Sequence, residues 1–299
     1  NHSKSSQQMT KGIKVPISLL VPCKNEESNL ARCLQSVSWI YEVFVVDSQS
    51  TDRTASIAEE HGAKVVQFEY KGGWPKKKNW ALENLPFSYE WVLILDADEC
   101  LPPQAEEEIR AIVTNDEIEH SGYWINRRYF FLGKPLRHAY FPNWNLRLFK
   151  HKLGRYEKIT DLTTGSGDHE IHEHVLVQGS TGKLNSIMDH HAFPTIESFV
   201  EKHNRYSNWE AVVENSAQED SSTLQHEAVK SKRILRKVFR RLPFRPTLRF
   251  LYVYLWQGGI LDGWRGYIFA RLHGQYEFLS AAKAKASSLS RKEPGKTSI

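Results

Sequence analysis

Two aspartates one residue apart, Asp96 and Asp98, stand directly behind the apolar run Trp91 to Leu95. Carboxylates so spaced, where an extended segment gives way to a turn, can approach one divalent cation. Hard oxygen donors suit Mg2+ or Mn2+ rather than zinc, and the cation would bridge the protein to a diphosphate. An acidic turn that caps a helix has the same sequence, so the pair takes its meaning from its surroundings. Asp47 closes a second apolar run, Glu42 to Asp47, ahead of Ser48-Gln-Ser-Thr-Asp-Arg53. Its carboxylate suits a base N–H or a ribose hydroxyl, or a capping role in the loop. Lys78 and Asn79, behind Gly72-Gly73, are candidates for phosphate or base contact, whereas Lys76 and Lys77 read as a solvated basic face.

The densest group of titratable side chains is His169-Glu-Ile-His-Glu-His174, which is not a zinc HExxH motif because position 173 is Glu. On a strand, His169, Ile171 and Glu173 share one face and Glu170, His172 and His174 the other. Asp168, Glu170 and Glu173 are candidate general bases, since register is not fixed by sequence; a solvated polar strand is the alternative. His190-His191 follows Leu184 to Met188, and a histidine there suits a metal, a diphosphate or a structural hydrogen bond. Arg147, Lys202 and Arg205 are candidate phosphate binders, with plain surface charge as the alternative for the last two.

Strand and helix signals alternate through the first third of the chain. Val15 to Val21, Glu42 to Asp47, Lys64 to Phe68 and Trp91 to Leu95 read as strands. Between and after them lie helices through Leu30 to Val37 (capped from Asn25 to Ser28), through Ile57 and Ala58 to Gly62, from Lys76 to Leu85 and from Gln104 to Val113. Such βαβ units imply a Rossmann-like α/β fold with a mostly parallel central sheet, whose ligands bind at the carboxyl ends of the strands. Asn25, Asp47, Asp96 and Asp98 therefore converge on one crevice. From Gly122 the pattern becomes aromatic and partly antiparallel, with strands at Tyr123 to Leu132, Asn145 to Phe149 and Glu170 to Val177. After Pro194 it turns helical, over Ile196 to Glu214 and Leu224 to Leu242.

With 299 residues, 40% hydrophobic and 25% charged, the chain suits a globular enzyme and excludes wholesale disorder, collagen and coiled-coil arrays. Three cysteines without a CxxC pair exclude a disulfide framework and a four-ligand zinc site, and fit a reducing compartment. Residues 1–14 are polar with no signal-peptide pattern, and no run reaches the ~20 apolar residues of a spanning helix. The net charge of +5 is local: eight basic and no acidic residues lie between Lys232 and Arg249, leaving 32 basic against 35 acidic elsewhere. On a helix there, Ile234, Leu235, Val238, Phe239 and Leu242 form an apolar stripe edged by Lys and Arg. With Phe250 to Trp256, Trp264 and Tyr267 following, residues 231–280 suit an anionic membrane surface, each basic residue contributing ~1 kcal/mol. Clustering of the aromatics with apolar residues argues against nucleic acid, which would take them spread along a basic groove.

VPCKNEE, VVDSQSTDRT, KKKNWAL and LILDADE, in this order over residues 17 to 100, resemble the nucleotide-sugar half of family 2 glycosyltransferases of the GT-A fold. RRYFFLGK, NWNLRLFK, IHEHVLVQG and the HHAF…KHNRYS stretch extend the likeness, to about residue 280, towards the branch of lipopolysaccharide-core β-1,4-glucosyltransferases. The resemblance implies that Asp47, Pro22 and Glu26 hold uridine and that Asp98 with Asp96 holds Mn or Mg on the donor diphosphate. It also implies His190 as a further metal contact, inversion at the anomeric carbon, Glu173 as base and a lipid-linked acceptor. Cys23 departs from the Thr or Ser that many members carry beside the nucleotide. The expected divisions are a disordered 1–14, a catalytic domain 15–195 (donor half 15–100, acceptor half 101–195), a helical membrane-associating region 196–281 and a disordered 282–299. The activity expected is transfer of a hexose, glucose from UDP-glucose first, onto a lipid-linked saccharide. Its place would be cytoplasmic, peripheral on the inner face of the cell membrane. The rival is a non-catalytic membrane-bound protein that binds nucleotide sugar or nucleic acid.

Overall fold

The computed structural model describes residues 12–115, 117, 119–158, 174–215, 242 and 244–292. The alternating first third folds as β1 (Val15–Cys23), α1 (Leu30–Ser36), β2 (Ile40–Asp47), α2 (Thr54–Glu60), β3 (Lys64–Gln67), α3 (Lys77–Asn84) and β4 (Trp91–Ile94). There follow β5 (Glu99–Cys100), α4 (Gln104–Val113), β6 (His120–Phe131), β7 (Lys134–Pro135), β8 (Trp144–Lys150), β9 (Gly154–Tyr156), β10 (Val175–Val177) and β11 (Ser180–Phe193). Helix α5 (Ile196–Asn215), α6 (Arg245–Leu251), a π turn over Tyr252–Trp256, a 3-10 turn over Gly259–Asp262 and α7 (Gly263–Lys292) complete the order.

One nine-stranded sheet runs β3-β2-β1-β4-β8-β6-β11-β5, with β7 paired onto β6. Six strands share a direction, while β8, β5 and β7 oppose them. The aromatic second part thus continues the sheet of the first third. Because alternate residues face opposite sides of a strand, Ile17, Leu19, Val21 and Cys23 pack under α1, α2 and α4 with Leu30, Leu34, Ile57 and Ile109. Leu20, Phe44, Val46 and Ile94 pack on the other face with Ala81 and Leu82 of α3 and with β9 and β10. The register places Cys23 beside Asp47 and Leu20 beside Ile94, so β1, β2 and β4 end on one edge.

Three local expectations are corrected. Asn25 does not cap α1: it takes a left-handed backbone (φ 53°), its side chain accepts from the Thr51 amide at 2.8 Å, and its own amide donates to Ser50 Oγ at 2.8 Å. It ties the loop after β1 to the loop after β2. Lys76 and Lys77 are buried rather than solvated, because α3 lies beneath the edge of β1, where Lys77 Nζ donates to the Cys23 carbonyl at 2.8 Å. The segment from residue 282, expected to be disordered, continues α7 as far as Lys292. Its alanines are the strongest helix formers, and an existing helix propagates through them. The expected basic helix over 224–242 lies, apart from Leu242, outside the described residues.

The C-terminal elements dock on the ends of β6 and β11 through Phe131, Phe193, Phe199, Val253 and Phe269. Glycine permits their close approach: a Cβ on Gly266 would stand 1.8 Å from the Gly259 carbonyl oxygen. His203 and His273 sit inside this interface, and burial pushes His203 down to about 4 and His273 well below its ordinary value. An unfolded chain takes up these protons near 6.5, whereas the folded one refuses them until well below, so stability falls as pH drops through that window. For His203 alone the loss is about 3 kcal/mol at most. Thermal midpoints are expected to drop between pH 6.5 and 4, less steeply in His203→Gln; an unaltered slope in that variant removes His203 as a contributor.

Candidate active site

The turn after β4 carries Asp96, Ala97 and Asp98, and the chain enters β5 at Glu99. Lys78 of α3 meets Asp96 at 2.9 Å and Arg147 of β8 meets it at 2.8 Å. Burial raises the Asp96 carboxyl, but these two cations outweigh it and hold the group well below the usual carboxylate range. Asp98, with its side chain 8% exposed, faces His190 Nε2 of β11 at 3.1 Å and Lys202 Nζ of α5 at 3.1 Å. Burial again opposes ionisation and the two basic partners again prevail, so Asp98 is ionised throughout the physiological range. The ring of His190 lies 4.9 Å from that of Tyr129, and its buried Nδ1 has no partner among the described residues.

Beneath both aspartates lies Glu99, 0% exposed. It accepts from Arg147 at 2.5 Å, from Arg127 of β6 at 3.1 Å and, through Oε2, from the Asp96 amide at 2.9 Å. This carboxylate aims Arg147 at Asp96 and fixes the turn that presents both aspartates. Nothing in its sequence context separates it from an ordinary charge. Its partners are 28 and 48 residues away, and only the order of strands brings them together.

Asp47 ends β2 fully buried, accepting from Ser50 Oγ at 2.5 Å and from Gln67 Nε2 at 3.0 Å. Both contacts brace its loop. Cys23 beside it is held neutral, its thiol pushed up to about 12 by burial and by Asp47. Glu26 follows at the crevice, raised by burial and by the charge of Asp98. Pro22, half-buried, immediately precedes Cys23 on the same strand end. Asn79 spends its amide on the Tyr156 backbone, donating to the carbonyl and accepting from the N–H, both at 2.8 Å, which seats β9. Arg205 is exposed on α5, three residues beyond Lys202. The candidate bases Asp168, Glu170 and Glu173 lie outside the described residues.

A divalent cation fits part of this set. Asp98 Oδ1 and His190 Nε2, 3.1 Å apart, stand at about the edge length of an octahedron with ~2.1 Å bonds. No group of three or more His, Cys, Asp or Glu at metal-binding separation occurs among the described residues. Asp96 is turned instead to Lys78 and Arg147. Two protein ligands leave coordination positions for phosphate oxygens and water, the usual habit of Mg2+. Asp98 and His190 would hold the ion; Asp96 and its partners border it.

Of the residues singled out in the sequence, Glu26, Lys78, Asp96, Asp98, Arg147, His190 and Lys202 come together. Asp47 and Asn79 flank them in bracing contacts. No helix among the described residues is long and apolar enough to cross a membrane.

The lipopolysaccharide core biosynthesis glycosyltransferase LpsC of Rhizobium meliloti is 30% identical over 281 residues, covering 90% of this chain and 92% of its own. An uncharacterized glycosyltransferase of Rickettsia conorii is 35% identical over 210 residues, 68% of this chain and 72% of its own. Among solved structures, TarS 1-349 of S. aureus aligns over 94% of this chain and 93% of that chain, at 17% identity and a TM-score of 0.39. The family model for glycosyl transferase family 2 matches residues 18–167. On that match and the near full-length likeness to LpsC, the chain belongs to glycosyl transferase family 2.

Proposed function

We propose that the protein moves a hexose, glucose from UDP-glucose as first expectation, onto a lipid-linked saccharide with inversion at the anomeric carbon. The observation that carries this reading is the convergence of Asp98, His190 and Lys202 beside Asp96 at the end of β4, level with the ends of β1 and β2. Pro22, Glu26 and Asp47 border the nucleoside end of that crevice. Mn2+ or Mg2+, when bound by Asp98 and His190, supplies a Lewis acid for the departing diphosphate. Lys78, Arg147 and Lys202 surround that position with positive charge and orient the phosphates. The base that takes the acceptor proton is a carboxylate from Asp168, Glu170 or Glu173, with Glu173 favoured by the family likeness. The name of the relative LpsC supports a lipopolysaccharide-core acceptor.

Calorimetry of UDP-, GDP- and dTDP-sugars with and without Mn2+, followed by nucleotide release on adding acceptor, tests this reading. A UDP-sugar that binds at least tenfold more tightly with Mn2+ than without it, and turns over, is expected. Binding without turnover favours the non-catalytic alternative, and oligonucleotide binding with a steep salt dependence, without nucleotide-sugar binding, overturns the transferase.

A lipid-linked acceptor calls for contact with an anionic membrane, and the turn between α6 and α7 supports it. Trp256 is 84% exposed and Leu261 69%, and Leu255, Ile260 and Trp264 are exposed beside them. Between residues 244 and 276 the single acidic residue is Asp262. Its side chain, 5% exposed, is spent on the backbone amides of Arg137, His138 and Ala139, at 2.8, 3.1 and 2.8 Å. The outward charge here is thus basic, with the Arg265 guanidinium 4.4 Å over the Trp264 ring. Apolar side chains ringed by Arg suit the headgroup boundary. Trp256→Ser with Leu261→Ser is expected to weaken binding to vesicles containing anionic lipid by about tenfold or more. Transfer to a water-soluble acceptor should stay at the wild-type rate; undiminished vesicle binding removes the tip from the contact.

A further inference from the structure

The four carboxyl groups at this centre, Glu26, Asp96, Asp98 and Glu99, face four basic side chains, Lys78, Arg127, Arg147 and Lys202, so the protein alone leaves little net charge there. A dication added by itself would carry an excess of two positive charges, which a nucleoside diphosphate would cancel. The contacts of Asp98 decide which basic group must yield. Arg127 and Arg147 are held in the buried Glu99 cluster, and Lys78 lies against Asp96 with its ammonium 5.2 Å over the Tyr156 ring. Lys202 is different. It reaches in from α5, its side chain is 25% exposed, and its Nζ touches Asp98 Oδ2 while Oδ1 faces His190. A flexible four-carbon stem with one exposed flank can swing its ammonium away without breaking a buried network.

We propose that Lys202 acts as a stand-in cation, holding Asp98 until the metal arrives with the nucleotide and then passing its ammonium to the diphosphate, so that metal and donor enter together. The inference rests on the transferase reading and adds to it a positioning residue that enforces ordered loading. It has a consequence that a purely scaffolding lysine would not have: removing Lys202 takes away the cation that competes for the charge of Asp98, so Mn2+ alone binds more tightly, while UDP alone binds more weakly.

The test is titration of the full chain with MnCl2, with UDP, and with each in the presence of the other, read by calorimetry and by the paramagnetic signal of free Mn2+. In the wild type, UDP is expected to raise Mn2+ affinity at least tenfold. In Lys202→Met, Mn2+ alone should bind about tenfold more tightly, UDP alone about tenfold more weakly, and the mutual enhancement should shrink accordingly. Lys202→Arg, which keeps the charge, should retain wild-type Mn2+ affinity and controls for any loss of folding in the first variant. Mn2+ affinity that is unchanged or weaker in a folded Lys202→Met protein overturns the inference, and so does a Lys202→Arg protein that behaves like Lys202→Met. A wild type that binds Mn2+ and UDP without such changes in the variants sinks this inference alone; a wild type that binds neither sinks the transferase reading with it.

Discussion

Replacing Asp98 by Asn is expected to lower sugar transfer by about two to three orders of magnitude, the usual cost of removing one aimed charge from a closed site. The variant keeps the shape of the turn but loses the anion that His190 and Lys202 share. The Lys202 side chain, a quarter exposed, is spared burial of an unpaired charge, and an asparagine amide at position 98 can still hydrogen-bond His190. Folding should therefore survive, and the loss should appear in kcat together with the Mn2+ requirement. Asp96→Asn is the informative comparison. Asp96 faces Lys78 and Arg147, so its loss should weaken donor binding more than it disturbs Mn2+ binding. Steady-state rates over a Mn2+ series check both, and turnover of Asp98→Asn within a few-fold of wild type would remove that carboxylate from the reaction.

The largest effect on stability is expected at Glu99, which touches no substrate in the proposed reaction. Glu99→Gln leaves Arg147 with Asp96 as its carboxylate partner, and Arg127 with the Tyr129 hydroxyl in place of a carboxylate in contact. Breaking one side of a buried charge cluster costs about 3–5 kcal/mol, because the stranded charge stays desolvated. The cluster has little spare capacity to compensate: the Nε atoms of Arg127 and Arg147 are already buried without partners among the described residues. For a chain of this size the melting point should fall by roughly 10 °C. Differential scanning calorimetry checks this, and an unchanged melting point would show that the Glu99 charge is not needed to hold the two guanidinium groups. Glu99→Leu should be worse still, since it also removes the acceptor for the Asp96 amide.

The contrast between these two residues shows what the chain discloses before it folds. Asp98 is visible because it follows an apolar run and sits two residues from another aspartate, a pattern set by neighbours in sequence. The strands of the donor side are equally plain, since β-branched runs punctuated by polar ends need only local information. Glu99, one residue further on, looks like any other charge, because its meaning comes from β6 and β8 crossing above it. Lys77 misleads for the same reason: a basic run reads as solvated until the helix that carries it is found beneath β1. Arg147 and Lys202 are nameable as cations suited to phosphate, but their pairing with Asp96 and Asp98 depends on β8 and α5 arriving from distant parts of the chain. The helical continuation past residue 282 is not legible in the sequence, because a low-complexity Ala/Ser/Lys stretch has the same composition whether frayed or wound.

The rings of Tyr129 and His190 meet at 4.9 Å, Tyr129 and Tyr140 at 6.1 Å, and Tyr140 and His273 stack at 4.5 Å. Severing the chain after β11 would therefore take Lys202 from Asp98 and remove the rings that back Tyr129, and the remaining piece would be no smaller enzyme. The distal helices buttress one side of the candidate site, which forbids exchanging them between relatives as detachable modules unless Tyr129, Tyr140 and His273 travel as a set.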